Sequence, residues 1–219
     1  MLDSYVDSAP SALGDSLQYR LPAASDAIGN RREAVYFPQG GDLYSSTGVR
    51  ECSFRIGSDS AMLDVGAGVF IKFKISNLNT VDANTMNLPA YGAWSRLNPR
   101  AAGTEVEDIN FLNRTTTMML ALADPHVKEN LDTAAGHIGE QIAASGHAIV
   151  GHKIFCGLFE SNKLIPLKYC PLELSLTVDP DAVGAKGFAT ANFTISDVQL
   201  HCTLLELSLI HISEPTRPY

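Results

Sequence analysis

Residues 69–75 read VFIKFKI, and this short run decides the fold class. Four of its apolar side chains share one face of an extended chain, and Lys72 and Lys74 share the other. Successive side chains of a β-strand point to opposite faces of a sheet, so a period of two predicts a strand. One face of that strand is buried and the other is wet, as is typical of antiparallel sheets.

The same period recurs on both sides of this run. It predicts strands at residues 49–56 (VRECSFRI), 147–155 (HAIVGHKIF), 171–178 (PLELSLTV) and 192–207 (NFTISDVQLHCTLLEL). In the last of these the apolar phase changes between Ile195 and Val198. A slip of one residue would turn every later side chain to the wrong face, so we expect a β-bulge there.

Between these strands the pattern changes. Residues 91–109 predict a hairpin that turns at Ala102-Gly103. The recurrence of Ile109, Leu112, Thr116 and Met119 then predicts an amphipathic helix, with Met118 and Met119 in the core. Asp124-Pro125 ends that helix and starts a second one, with Asp124 as N-cap. Loops are expected at residues 57–68, 76–87 and 136–146.

This order of elements predicts an all-β fold: an antiparallel jelly-roll sandwich or barrel with a short helical insertion. Unequal loops, one of them helical, favour a jelly roll over an immunoglobulin sandwich. We assign residues 1–45 to an N-terminal arm on the surface or on a neighbour, with a loose terminus as the alternative. Residues 46–206 form the jelly-roll domain.

Composition narrows the classes of function. The 219 residues are 45% hydrophobic with a net charge of -8, which fits a globular domain without a basic groove for specific nucleic-acid binding. We expect no signal peptide and no membrane span, since no apolar run approaches about 18 residues. Four widely spaced cysteines predict buried thiols in a reducing compartment.

Catalytic and metal-binding patterns are missing from the sequence. His137, His147 and His152 lie close together, but five residues put the last two on opposite faces of a strand, and no HExxH motif occurs. Glu105, Glu107 and Asp108 form an acidic cluster that we interpret as the cap of the helix starting near Ile109. We therefore expect no catalytic residue, no cofactor and no metal site, and a protein that is not an enzyme.

Four segments resemble the major capsid proteins of double jelly-roll viruses, of the Polinton-like and nucleocytoplasmic-virus-like kind. They are residues 44–56 (YSSTGVRECSFRI), 103–119 (GTEVEDINFLNRTTTMM), 155–178 (FCGLFESNKLIPLKYCPLELSLTV) and 194–207 (TISDVQLHCTLLEL). The resemblance implies a virion protein that assembles in the host cytoplasm or nucleus. It also implies a homotrimeric capsomer that tiles an icosahedral shell with other capsid proteins.

Two jelly rolls per subunit are implied, so residues 46–206 would be the first barrel. The arm and the helix-bearing loop at 109–146 are the expected contacts with neighbouring copies. Residues 207–217 (LSLIHISEPTR) are similar to a translated sequencing adapter, so we treat 207–219 as a non-native tail. A native terminal strand with a short tail is the alternative.

Three other functions stay open on the sequence alone. A single jelly-roll minor capsid or spike protein would differ only in having one barrel. A carbohydrate-binding module would need exposed aromatic side chains on one sheet face or a calcium site of clustered acids. A cupin-type enzyme would need a metal-binding histidine set, which makes it the least favoured of the three.

Overall fold

Two antiparallel sheets carry the fold, in a computed structural model that describes residues 29–80, 90–126, 142–161, 163–179 and 193–207. The strands are β1 Gly29–Tyr36, β2 Leu43–Ser45, β3 Glu51–Ile56, β4 Ala61–Asp64, β5 Phe70–Asn77, β6 Trp94–Ala101, β7 Thr104–Glu105, β8 Ile109–Asn110, β9 His147–Lys153, β10 Leu164–Pro166, β11 Leu172–Val178 and β12 Phe193–Leu207. The helix α1 spans Leu112–Leu122, and short 3-10 helices span Val65–Ala67 and Ala90–Ala93.

The strand order is that of a jelly roll. The first sheet runs β10-β4-β12-β5-β9, with β1 and β2 also paired to β12. The second runs β3-β11-β6-β7, with β8 also paired to β6. Eight strands therefore give β2-β12-β5-β9 against β3-β11-β6-β8, which is a two-sheet jelly roll. The predicted fold class is confirmed.

The core lies between the sheets and is built from their inward faces. In β5 the side chains of Ile71, Phe73 and Ile75 are buried, as the alternation in residues 69–75 predicted. The Phe73 ring meets Trp94 of the other sheet edge to face, with 5.4 Å between centroids. Such aromatic pairs add about 0.5–1.5 kcal/mol beyond the burial of their area.

The bulge predicted in β12 is present. Ser196 lies opposite Lys74 and Gln199 lies opposite Lys72, so two residues of β12 face Phe73 alone. Asp197 takes the extra place with a φ of 53°, a conformation that aspartate tolerates better than most residues. The bulge keeps both Ile195 and Val198 in the core.

The hairpin predicted at Ala102-Gly103 is also present. Ala101 pairs with Thr104, and the two residues between them have φ values of 50° and 81°. Positive φ at both central positions is the signature of a type I′ turn, whose twist matches that of the paired strands.

Several short strands were not predicted. Residues 57–68 contain β4 rather than a loop alone, and residues assigned to the arm contain β1 and β2. These strands, like β10, are too short or too irregular to show a period, and pairing partners such as β12 determine them instead. Residues 1–28, the second helix beyond His126 and residues 208–219 of the predicted tail lie outside the described residues, and Leu207, also assigned to the tail, is the last residue of β12.

The helix differs from its prediction in start and in orientation. It begins at Leu112, because Ile109 and Asn110 form β8 and pair with Leu97 and Arg96. Leu112 and Thr116 are buried as predicted, but Asn113 and Leu120 complete the buried face. Met118 and Met119 are exposed, so their placement in the core was wrong. Asp124 accepts a hydrogen bond from the backbone N–H of His126 at 2.9 Å, as the predicted N-cap would.

Candidate interaction surfaces

The acidic side chains of Glu105, Glu107 and Asp108 bind residues of strands and loops and not the start of α1. The prediction that they cap the helix was therefore wrong. Asp108 forms a bidentate ion pair with Arg96, at 2.7 and 2.8 Å, whose hydrogen bonds lower the pKa of that carboxyl. Glu105 accepts a hydrogen bond from Asn98 at 2.7 Å, and Glu107 accepts one from the backbone N–H of Gly157 at 2.9 Å. The residue before α1 is Phe111, with a φ of 59° and no side-chain cap bond.

The two histidines that the structure describes in β9, His147 and His152, lie on opposite faces of the first sheet. His147 lies opposite Ser76 and His152 opposite Ile71, so the two side chains point to opposite faces of the sheet, as predicted. The Nδ1 atom of His152 is 2.9 Å from the Lys153 carbonyl oxygen and therefore carries the proton. The Nε2 atom of His152 is buried without a hydrogen-bond partner among the described residues. Burial lowers the pKa of the His152 imidazole to about 4. His137 lies outside the described residues.

The cysteines are free thiols. Burial raises the pKa of Cys52, Cys156 and Cys202 to about 12, so these thiols stay protonated at neutral pH. Within the described ranges, no three His, Cys, Asp or Glu side chains come together as a metal-binding group.

One outward surface of the fold is the exposed face of α1. Its large apolar side chains are Phe111 (60% exposed), Met118 (66%), Met119 (54%) and Leu122 (87%). At 100° per residue, Met118 and Leu122 lie about 40° apart and form a ridge along the helix, and Phe111 lies just before its first residue. Arg114 lies over the Phe111 ring, with its guanidinium carbon 5.1 Å from the centroid.

The opposite face of α1 is fixed to the domain. It packs against β6 and against the 3-10 helix at Ala90–Ala93. Asn113 donates a hydrogen bond from its amide to Asp179, and both side chains are buried. A buried polar pair of this kind is costly to break, so the helix presents its apolar ridge from a fixed position.

A second surface is a depression on the outer face of the first sheet. Its volume is about 400 Å³, and its apolar walls include Phe70 (40% exposed) and Ile149 (59%). Gly151 also lines the depression and has no side chain to fill it, and a Cβ there would make a tight contact of 3.0 Å with the carbonyl oxygen of Ile71. Lys72 and His201 stand at the same site.

These surfaces have only a weak signal in the sequence. Residues 111–122 contain more large apolar side chains than a single buried face can hold, and that excess is the signal for an outward apolar ridge. The depression draws residues from β1, β5, β9 and β12, which are distant in sequence. The one local indication of the depression in the sequence was Gly151, a glycine within the predicted strand at 147–155.

Comparisons with known proteins identify similar structures but no family with a similar sequence. The chain matches no protein-family model and no curated protein. It is similar to the crystal structure of VP54 of PBCV-1, fitted into a cryo-EM reconstruction of the virophage Sputnik, with a TM-score of 0.62 and 9% identity. It is also similar to a chain in a quasi-atomic model of the PBCV-1 virus capsid, with a TM-score of 0.59 and 11% identity.

The coverage of these two matches is unequal. Each covers 87% of this chain but only 45% of the other, so the chain spans less than half the length of the structures it resembles. At such low identity the likeness establishes the jelly-roll fold, as the sequence resemblance implied. No helix in the described part of the chain combines the length and apolarity needed to cross a membrane.

Proposed function

We propose that this chain is a structural subunit of a virus capsid. The observation that carries the proposal is the match of its jelly roll to VP54 over 87% of the chain, at a TM-score of 0.62. The exposed apolar ridge on α1 adds support, because a capsid subunit needs outward surfaces that bury themselves against copies of the same chain. The role is structural, and the proposal involves no catalytic step.

The finer form of the proposal is a homotrimeric capsomer that joins other capsid proteins in an icosahedral shell. Its subunit would carry two jelly rolls, of which residues 46–206 are the first, and would belong to virions assembled in the host cytoplasm or nucleus. The coverage of 45% of VP54 supports the two-barrel form, since the remaining length leaves room for a second domain of similar size.

Self-association of the purified chain tests the proposed role. We expect size-exclusion chromatography with light scattering to give an oligomer rather than a monomer. The double variant Met118→Glu/Leu122→Glu should dissociate it, because each carboxylate would be buried without a partner. Thr117→Glu, on the far side of the exposed helix surface, is the matched control and should leave the oligomer intact. A wild-type monomer across the micromolar range would contradict the proposal.

The two-barrel form has a separate test. The coding region should be amplified from the source nucleic acid and sequenced through the codon for Glu206. We expect 207–219 to be replaced by at least about 150 strand-rich residues, the size of one further domain. A gene that retains these thirteen residues and then stops would leave a single barrel and favour a minor capsid or spike protein.

A further inference from the structure

We propose that two copies of the chain pair through the outward face of α1, with the two helices antiparallel about a two-fold axis at Met118. The inference rests on the proposed self-assembly and names the surface and the geometry of one contact. A two-fold contact joins only two copies, so it does not build a capsomer of three. It would instead link two capsomers across a two-fold axis of the proposed icosahedral shell.

Met118 is the centre of the outward face of α1. At 100° per residue it lies about 120° or more from each of the buried side chains of the helix, which are Leu112, Asn113, Thr116 and Leu120. Arg114 and Leu122 lie about 40° to either side of Met118, and about 6 Å before and after it along the helix axis. All three side chains are exposed. A two-fold axis at Met118 would therefore bring Arg114 of one copy beside Leu122 of the other.

Phe111 adds an aromatic ring to this face at a conformational cost. Its φ of 59° lies in the left-handed region, which bulky side chains rarely adopt. The ring is 60% exposed and lies 5.1 Å from the guanidinium carbon of Arg114. Strained residues of this kind are typical of sites that bind a partner. In the antiparallel pair the Phe111 ring would leave solvent and pack against Leu122 of the second copy.

The charges at the ends of α1 oppose the dipole of their own helix and suit that of an antiparallel partner. Arg114 lies in the first turn, at the positive end, and Asp124 lies two residues beyond the negative end. Both are exposed, and neither takes part in an ion pair among the described residues. In the antiparallel pair, Arg114 of each copy approaches Asp124 of the other. A parallel pair would bring like charges together instead.

The area of this face fits a weak and reversible contact. Large apolar side chains carry on the order of 200 Å² each, so the exposed fractions of Phe111, Met118 and Leu122 amount to roughly 400 Å² per copy. Arg114 and Ala121, which are exposed beside them, bring the pair to about 1,000 Å² in total. Specific contacts below about 1,200 Å² are generally transient, so the dimer should depend on concentration.

Charge reversal in the 219-residue chain tests the antiparallel geometry. Arg114→Asp or Asp124→Arg alone would place like charges opposite each other at both ends of the pair. Each variant should therefore dimerise roughly tenfold more weakly in sedimentation velocity. An equal mixture of the two variants should recover the wild-type affinity, because an acidic copy then faces a basic copy at both ends. Both substitutions suit the dipole of α1, so the helix itself should be retained.

A cross-link at Met118 gives an independent measurement. Met118→Cys would be made in the full chain carrying Cys170→Ser, because Cys170 is the least buried of the native thiols. A two-fold axis at Met118 brings the two introduced thiols together, so this variant alone should give a covalent dimer with a short bis-maleimide. Thr117→Cys is the matched control, since it lies about 100° away around the helix, and should give none.

The outcomes separate this inference from the proposed function. An oligomer whose affinity is unchanged by charge reversal, and which gives no cross-link at Met118, would overturn the inference and leave self-assembly standing. Two weakened variants that do not recover on mixing would overturn the antiparallel geometry. A wild-type monomer at every concentration would overturn both the inference and the proposed self-assembly.

Discussion

Phe73 of β5 packs against one aromatic ring of the opposite sheet and one of its own sheet. Its ring packs edge to face against Trp94 of the opposite sheet at 5.4 Å and against His152 at 6.3 Å. Its backbone lies opposite the bulge of β12. Both of its aromatic neighbours carry a buried ring nitrogen without a partner among the described residues. The centre of the core is therefore apolar at the cost of two unsatisfied polar atoms.

His152 should make the stability of the domain depend on pH. Its pKa is about 4 in the folded chain, against an ordinary value of 6.5, because burial disfavours the charged imidazole. Between those values the unfolded chain binds a proton that the folded chain does not, so stability falls as pH falls from 6.5 to 4. At about 1.4 kcal/mol per pH unit, the loss is roughly 3 kcal/mol by pH 4.

Urea denaturation at a series of pH values measures this dependence. His152→Leu should show a shallower loss of stability between pH 6.5 and 4.5 than the wild-type chain. His147→Leu removes an exposed histidine from the same strand and should keep the wild-type slope. Equal slopes in all three proteins would show that the His152 ring is hydrated in the folded state.

At the scale of elements, β12 shows how one long strand pairs with several others. It pairs with β5 on both sides of the bulge, and it also pairs with β2 near Ile195 and with β4 near Leu204. Without the bulge, one half of the strand would turn its apolar side chains to solvent. The extra residue is therefore part of the fold and has a sequence signature that predicted it.

Deleting Asp197 should prevent folding. Whichever half of β12 slips, buried side chains such as Leu200 and Leu204 or Phe193 and Ile195 become exposed, at about 1.5–3 kcal/mol each. The total is comparable with a domain's whole stability of roughly 5–15 kcal/mol. Soluble expression and circular dichroism would measure the outcome.

Asp197→Gly is the matched control for that deletion. It keeps the residue count and suits a φ of 53°, so it should fold with near-normal stability. If the deletion variant melts cooperatively at the wild-type temperature, the bulge does not set the register of β12.

At the scale of the whole molecule, the jelly roll buries a core and still exposes apolar surface. Its core is closed between the sheets, yet α1 and the outer face of the first sheet keep large apolar side chains in contact with solvent. Exposed apolar patches of this size mark interaction surfaces in soluble proteins. The fold satisfies its own core and leaves these surfaces for a partner.

The melting temperature of the chain should therefore rise with its concentration. Association that stabilises only the folded state raises apparent stability by mass action. Differential scanning fluorimetry over a hundredfold range of concentration would measure the rise, and Met118→Glu/Leu122→Glu should abolish it. A melting temperature that stays constant for the wild-type chain would contradict association through the folded state.

Elements with a local pattern could be predicted from the amino-acid sequence. The alternation in β3, β5 and β11, the bulge in β12 and the turn at Ala102-Gly103 were all predicted, because each depends on neighbouring residues alone. From their order the jelly roll followed. Two structures similar to the chain at 9% and 11% identity share that fold, which shows how little else of the sequence it requires.

Features that depend on residues distant in sequence could not be predicted and became visible in the folded chain. The strands β1, β2, β4 and β10 exist because another strand lies beside them, and Asp108 pairs with Arg96 instead of capping a helix. Met118 faces outward because the space beneath α1 is filled by Leu112, Thr116 and Leu120. A hydrophobic pattern states which side chains prefer burial, but the packing of the whole chain decides which of them are buried, since the core has limited room.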